Sequence, residues 1–342
     1  MTTNPGFAFA AIGLNHDHIY GQTECMFEAG CELVAYCAPE DDVAARYGDR
    51  YPQARRVRDE RKILEHPEIR LVIGAGIPDD RAPMAVRAMR HGKDVMLDKP
   101  GATTLAQLAE LRRVQEETGR IFSICFSEHV RQRATVEAGR LVHAGAIGRP
   151  IQTLGLGPHH LRPQTRPPWF FQRARYGGIL GDIGSHQAEQ FLFFTDSEEA
   201  EVVASQVGNF AHPETPELED FGDMVLRSPT ATGYVRVDWF TPDGLGTWGD
   251  GRYVILGTEG YIELRKMIDI AGRPGGDHLF LVDRNGIRHV DCKDKPLPYG
   301  AQLRDDVLNR TETALPQART FLATELALLA QERATWIPGR RP

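Results

Sequence analysis

The stretch FAFAAIGLNHDHIYGQTECMFEAGCELVAYC, Phe7 to Cys37, decides the fold. Phe7 to Gly13 is a short apolar run closed by a glycine, the pattern of a buried strand. A helical pattern follows from His18 to Ala29, and Leu33 to Cys37 is a second apolar run. The alternation continues, with strands expected at Leu71 to Ala75, Val95 to Leu97 and Ile121 to Phe126. Helices are expected at Arg81 to Arg90 and, capped by Thr103 or Thr104, up to about Thr118. Repeated β-α units predict an α/β domain over residues 1–126, built on a doubly wound parallel sheet. Ligands of such sheets bind at the carboxyl ends of the strands.

With 342 residues, 41% of them hydrophobic, the chain is long enough for two domains. The net charge is −7 and the basic residues form no stripe, so nucleic acid is not an expected partner. No apolar run approaches the roughly 18 residues of a membrane span, and the first residues show no export signal. The five cysteines are odd in number and lack C-x-x-C spacing, as free thiols in a reducing compartment would. The expected location is the cytoplasm.

The turn Gly13-Leu14-Asn15-His16-Asp17-His18 lies where a parallel sheet takes a dinucleotide. Of the G-x-G-x-x-G fingerprint only Gly13 is kept, with Asn15 and His18 at the other two glycine positions. Asparagine tolerates left-handed backbone angles, and two imidazoles and an amide can donate to a pyrophosphate at a helix start. Asp17 would repel a phosphate unless it points away, and a plain structural turn is the competing reading. After the second strand, Ala38 occupies the slot where an acidic residue usually holds the ribose hydroxyls. Glu40 or Asp41 substitutes only if the turn bends back, and no neighbouring arginine argues for a 2′-phosphate. NAD and NADP both stay open. Further on, Val95-Met96-Leu97-Asp98-Lys99-Pro100 ends a strand in a lysine, whose ammonium can stabilise a developing alkoxide. The Lys-Pro bond can be cis; a surface lysine at an ordinary turn is the alternative.

In the second half, GGILGDIGSHQAEQFLFF (Gly177 to Phe194) reads as a helix start with Asp182, His186 and Glu189 on one face. A carboxylate beside an imidazole can orient it and pass a proton; a helix-start aspartate and a buried histidine without chemistry is the other reading. The preceding loop carries His159, His160, Arg162 and Trp169, suited either to a polyhydroxylated or anionic substrate or to a subunit contact. His159 and His160 with Asp182 and His186 could be drawn as a metal site. Adjacent residues on extended chain point apart, so no metal is expected. A helix is expected over Val130 to Ala144 and another over Ala314 to Ala334. Strands are expected at Val202 to Phe210, Phe221 to Arg227, Thr232 to Phe240, Tyr253 to Leu256 and Tyr261 to Leu264. Strands in succession without helices pair antiparallel. They predict a second domain, residues 127–342, of α+β type with a large, mostly antiparallel open sheet. Its uncovered face points to a homodimer or homotetramer.

The turn at Gly13, the Asp98-Lys99-Pro100 strand end and GG-x-x-x-D-x-G-x-H (Gly177 to His186), in that order, resemble the Gfo/Idh/MocA family of NAD(P)-dependent oxidoreductases. Gly145-Ala-Ile-Gly148 and Ile255-Leu-Gly-Thr-Glu-Gly-Tyr-Ile-Glu263 extend the likeness over almost the whole chain. The family's strand end reads Glu-Lys-Pro, with Asp98 here in place of the glutamate. The resemblance implies a Rossmann domain followed by a sheet-based substrate and oligomerisation domain. It puts the catalytic lysine at Lys99, the acid at Asp182 and the histidine at His186. Cofactor positions are expected at Gly13, Asn15, His16, Ala38, Ile77, Asp98, Lys99 and Pro100, and substrate positions at His159, Arg162, Trp169 and Glu189. The implied reaction is hydride transfer between a CH–OH group of a carbohydrate-like small molecule and nicotinamide C4. A redox-neutral NAD-dependent glycosidase, lyase or epimerase of the same fold, and a non-catalytic nucleotide-responsive regulator, are the alternatives.

Overall fold

A computed structural model describes residues 6–337. The chain divides into two compact units, Met1–Cys125 with Pro298–Phe321, and Phe126–Leu297 with Leu322–Pro342.

The first unit alternates β1 (Ala8–Ile12), α1 (His18–Glu28), β2 (Glu32–Cys37), α2 (Asp41–Arg50), β3 (Arg55–Val57) and α3 (Arg61–Leu64). It continues through β4 (Ile69–Gly74), α4 (Pro78–Arg90), β5 (Asp94–Asp98), α5 (Leu105–Thr118) and β6 (Phe122–Cys125). The six strands are parallel in the order β3-β2-β1-β4-β5-β6, the doubly wound topology. Helices cover both faces, so β1 is buried along its whole length, and its sequence is a continuous apolar run for that reason. Thr104 accepts the amide of Gln107 and caps α5, which ends at Gly119 in the left-handed conformation (φ +60°).

The second unit starts with α6 (Ser127–Val130) and α7 (Arg133–His143), where one helix from 130 to 144 was expected. Then come β7 (Pro150–Pro158), α8 (Arg173–Tyr176), a π-helical turn over Leu180–Gly184 and α9 (Ser185–Thr195). Strands β8 (Glu201–Gly208), β9 (Phe221–Arg227), β10 (Thr232–Asp238), β11 (Arg252–Gly257), β12 (Gly260–Arg265), β13 (His278–Asp283) and β14 (Gly286–Asp291) follow. The chain closes with α10 (Tyr299–Asn309), α11 (Gln317–Arg333) and β15 (Thr335–Trp336). The sheet has nine strands, β14-β13-β12-β11-β7-β10-β9-β8-β15, antiparallel except for β7 with β10 and β8 with β15.

Strict alternation gives this sheet two unlike faces. Tyr253, Ile255, Ile262, Leu264, Leu279 and Leu281 point inward onto Ala134, Ala138 and Val142 of α7 and Phe194 of α9. The opposite face carries the cross-strand pair Leu256 and Tyr261, 38% and 40% exposed. The inner face is also stripped of side chains beneath α9. A Cβ at Gly155 or Gly157 of β7 would meet the Gln187 side chain at 2.6 and 3.0 Å, and one at Gly233 of β10 would meet Phe191 at 2.8 Å. Helix and sheet therefore approach closely at these three glycines.

The segment Pro298–Phe321 was expected in the second domain and instead groups with the first unit. Tyr299 shares a hydrogen bond with Ser123 of β6 (2.8 Å), and Gly300 packs against Cys25 of α1. Arg310 grips both oxygens of the buried Asp94 at 2.7 Å. All five cysteines are buried, and none is joined in a disulfide. Among the described residues no helix is long and apolar enough to cross a membrane.

Candidate active site

In the first unit the turn after β1 is tied down by three backbone bonds. Gly13 donates to Cys37 (3.0 Å) and accepts from Ala75 (3.0 Å), and His16 donates to Ala75 (2.8 Å). Gly13 has φ +76°, and a Cβ there would lie 2.9 Å from the Cα of Gly76, so both its angle and its neighbour require glycine. Asp17 is exposed. A cavity of about 340 Å³ opens at the carboxyl ends of β1, β2 and β4, with Gly13, Asn15, Glu40, Gly76 and Ile77 in its wall.

Ala38, expected as a cofactor position, is only 1% exposed and does not line this cavity. The turn after β2 does bend back, and it brings Glu40 into the cavity wall. Asn15 donates to Glu40 Oε1 at 3.0 Å, while Oε2 is buried without a hydrogen-bond partner. An orphaned carboxylate oxygen in a cavity is an acceptor waiting for a hydroxyl, so the residues present fit the ribose of a dinucleotide.

Beyond β4 lies a second cluster, centred on Asp98. The Lys99-Pro100 bond is cis, and Asp98, Lys99 and Pro100 are all buried. Arg81 of α4, 1% exposed, organises this strand end. It donates to the carbonyls of Gly76 (2.7 Å), Lys99 and Pro100 (3.3 Å), and its Nη2 lies 3.0 Å from Asp98 Oδ2. His18 bonds Asp98 Oδ1 at 2.9 Å, and His16 Nδ1 is 3.6 Å from Oδ2. Burial alone would raise the Asp98 carboxyl; His18, Arg81 and His16 together hold it well below the usual carboxylate range. Burial, and then the charge of His18, hold the His16 imidazole well below its usual value despite Asp98.

In the second unit, Asp182 sits inside the π turn and His186 one residue into α9. They are 8% and 1% exposed. Single π turns inside helices recur at functional sites. The polar stripe expected on α9 exists, but it is buried rather than open. His186, Gln187, Glu189 and Gln190 are all 1% exposed or less. What makes this tolerable is a set of charged partners that sequence reading missed. Lys266 Nζ reaches Glu128 Oε2 (3.0 Å) and Gln190 Oε1 (2.7 Å), and Gln187 donates to the same Glu128 oxygen at 2.8 Å. Burial acts to raise Glu128, but Lys266, His186 and His159 hold it below its ordinary value. Burial lowers Lys266, opposed by Glu128. The His186 ring lies edge-on to Phe126 with centroids 6.1 Å apart.

The remaining sequence-predicted positions scatter. Glu189 is fully buried with both oxygens within 3.0 Å of His129 Nδ1, so it braces α6 against α9 and presents no edge to a ligand. His159 turns inward, its Nε2 3.8 Å from Glu128 Oε1 and its ring against Trp239 and Trp248. His160 turns the other way, to Asp243 at 2.6 Å, as neighbours on extended chain must. Arg162 is exposed and donates to His160, and Trp169 is half-buried beside Phe170. Glu128 had one usable signal, its place just after the sixth strand, where such sheets carry their ligands. Arg81 and Lys266 had none.

Residues 9–126 match the description "Oxidoreductase family, NAD-binding Rossmann fold", and residues 135–263 match the GFO/IDH/MocA C-terminal domain. The scyllo-inositol 2-dehydrogenase (NAD(+)) of Bacillus subtilis (strain 168) is 28% identical over 210 residues, 60% of this chain and 57% of its own length. The 1,5-anhydro-D-fructose reductase of Ensifer adhaerens is 27% identical over 177 residues, 51% of this chain and 52% of its own. The chain thus spans little more than half the length of these curated relatives. A crystal structure of a protein from Erwinia carotovora atroseptica SCRI1043, designated an oxidoreductase, is 44% identical with a TM-score of 0.94, covering 97% of this chain and 100% of that one. Levoglucosan dehydrogenase, solved with NADH and levoglucosan, shares the fold at 18% identity and a TM-score of 0.72, covering 97% and 91%. Paired matches to both family domains, over a parallel six-stranded and an open nine-stranded sheet, mean that this chain belongs to the Gfo/Idh/MocA family of oxidoreductases.

Proposed function

We propose that the protein is a dehydrogenase that moves a hydride between a secondary alcohol of a sugar or polyol and a nicotinamide dinucleotide. The observation that carries this reading is His186, a buried imidazole just past a π turn, whose charge bears on the Glu128 carboxylate paired with Lys266. The bound dinucleotide supplies the hydride acceptor or donor. In the oxidation direction His186 takes the hydroxyl proton, Lys99 stabilises the oxygen as negative charge develops on it, and Asp182 orients alcohol and imidazole. Gly13, Asn15, Glu40 and Ile77 hold the dinucleotide. The Glu40 oxygen that lacks a hydrogen-bond partner suits a ribose hydroxyl, and Arg58 in the same wall is already paired with Asp41 (3.3 Å), so NAD is the proposed cofactor. The relatives acting on inositol and anhydrofructose, by their names, support a carbohydrate-like substrate. Assembly into a homodimer or homotetramer is proposed through the sheet face bearing Leu256 and Tyr261.

The test is a panel of inositols, aldoses and anhydro sugars with NAD+ or NADP+, read by the absorbance of reduced nicotinamide. Reduction of NAD+ with at least one polyol is expected. Product formed with no net reduction would replace this reading by the redox-neutral one, and no conversion of any kind would overturn both.

A further inference from the structure

The turn Gly13 to His18 carries two imidazoles where a dinucleotide turn ordinarily has none, and both converge on one buried carboxylate. His18 Nδ1 lies 2.9 Å from Asp98 Oδ1 and His16 Nδ1 3.6 Å from Asp98 Oδ2. The rings stand edge to face with centroids 4.1 Å apart. One donor atom from each of the three residues lies within 4.8 Å of the others. A tetrahedral centre with bonds of about 2.0–2.1 Å needs neighbouring donors roughly 3.3 Å apart. The donor pairs at 2.9 and 3.6 Å, one to each carboxylate oxygen, lie near that spacing, so the carboxylate would bridge the two imidazoles through both oxygens.

We propose that His16, His18 and Asp98 form a binding site for a transition-metal dication of the zinc or cobalt type. Two nitrogens and one oxygen suit these borderline ions rather than magnesium or calcium, which prefer all-oxygen cages. Both arms of the site are fixed in advance. The histidines stand two residues apart on the turn that Cys37 and Ala75 tie down, and Asp98 ends a central strand. The two carboxylate oxygens divide the work. Oδ1 faces the His18 nitrogen, while Oδ2 faces His16 Nδ1 at 3.6 Å and forms an ion pair with Arg81 Nη2 at 3.0 Å. The His18 side chain is 38% exposed, which leaves the remaining coordination positions to water or an anion. Two costs limit the affinity. The metal displaces the bond from the His18 amide to His16 Nδ1 (3.2 Å), and it sits close to the Arg81 guanidinium. The site is therefore weaker than a structural zinc centre and favours joint binding with an anion.

This inference does not rest on the oxidoreductase reading, because metal uptake is measured without nicotinamide or substrate. Untagged full-length protein, stripped with a chelator, is titrated with Co2+ and followed by its visible d–d absorption, with Zn2+ followed by calorimetry. One equivalent of Co2+ is expected. His16→Ala and His18→Ala should each weaken it by roughly tenfold or more. His289→Ala, which breaks the other close histidine pair (His278 to His289, 3.1 Å), should leave uptake unchanged. Circular dichroism establishes that each variant is folded; should His16→Ala fail, the half-exposed His18→Gln carries the test alone. No uptake by the unaltered protein, or uptake retained in the His18 variants, overturns the proposal and leaves the trio a hydrogen-bonded brace.

Discussion

Lys266 Nζ lies 3.0 Å from Glu128 Oε2, although the two residues are 138 positions apart and only 2% and 3% exposed. A buried pair of this kind adds little net stability, but removing one partner strands a charge in a dry interior. Lys266→Met should therefore cost about 3–5 kcal/mol, and Glu128→Gln with Lys266→Met should recover part of it. Chemical denaturation of the single and double variants checks this, and equal losses in both would count against the pair.

The same carboxylate predicts a pH dependence. Glu128 titrates lower folded than unfolded, so the unfolded chain binds the proton first as pH falls. Its stabilisation is present above the unfolded value of about 4.3 and drains away below it. The acid limb of the stability curve should be flatter in Glu128→Gln/Lys266→Met than in the unaltered protein. Superimposable limbs would remove Glu128 from the acid-unfolding account.

Glu40 tests the cofactor. Replacing it with alanine deletes the acceptor of one or two ribose hydroxyls, about 1–1.5 kcal/mol or roughly tenfold in NADH affinity. The loss should be smaller for NADPH. Fluorescence titration with both nucleotides measures the two constants, and an unchanged NADH constant would falsify the assignment.

His186→Ala should lower turnover by roughly 10²–10⁴-fold while leaving NADH affinity nearly intact, since a general base acts on the substrate proton and not on the dinucleotide. Lys99→Ala should act in the same direction. Stopped-flow turnover alongside nucleotide titration separates the effects; normal turnover in both variants sinks the proposed roles.

Arg310 tests why Pro298–Phe321 belongs with the first unit. Asp94 also accepts the amide of Ile121 (2.8 Å), so Arg310→Ala leaves a buried carboxylate with its guanidinium gone. A loss of about 2 kcal/mol is expected, less than for a fully buried pair because Arg310 is 40% exposed. Hydrogen exchange should show α10 opening more readily, and unchanged protection there would contradict it.

What could be read from the residues alone follows from the range of the forces involved. The strands and helices of Phe7 to Cys37 were legible because period and turn chemistry act over a few residues. Asp182 and His186 were legible as a spaced pair, but the π turn between them was not, since it answers to packing against the sheet below. Glu189 was expected to face a ligand and instead meets His129, sixty positions away in sequence. Nothing in the sequence marked Arg81 or Lys266 as buried. Only the fold supplies the carboxylates and carbonyls that allow a charge to be buried.

The π turn has a further consequence. Its i→i+5 bonds enclose one residue more than those of the α-helix it runs into, so it works as a phase adjuster between the glycine-rich approach and α9. Loss of one residue there, for instance Gly181, whose missing Cβ would touch nothing within 4 Å, would let the turn relax to regular helix. The residues just before the deletion would then turn by about 100° about the helix axis relative to His186. Deletion of that single codon is therefore expected to lower activity while leaving Asp182 and His186 in the sequence.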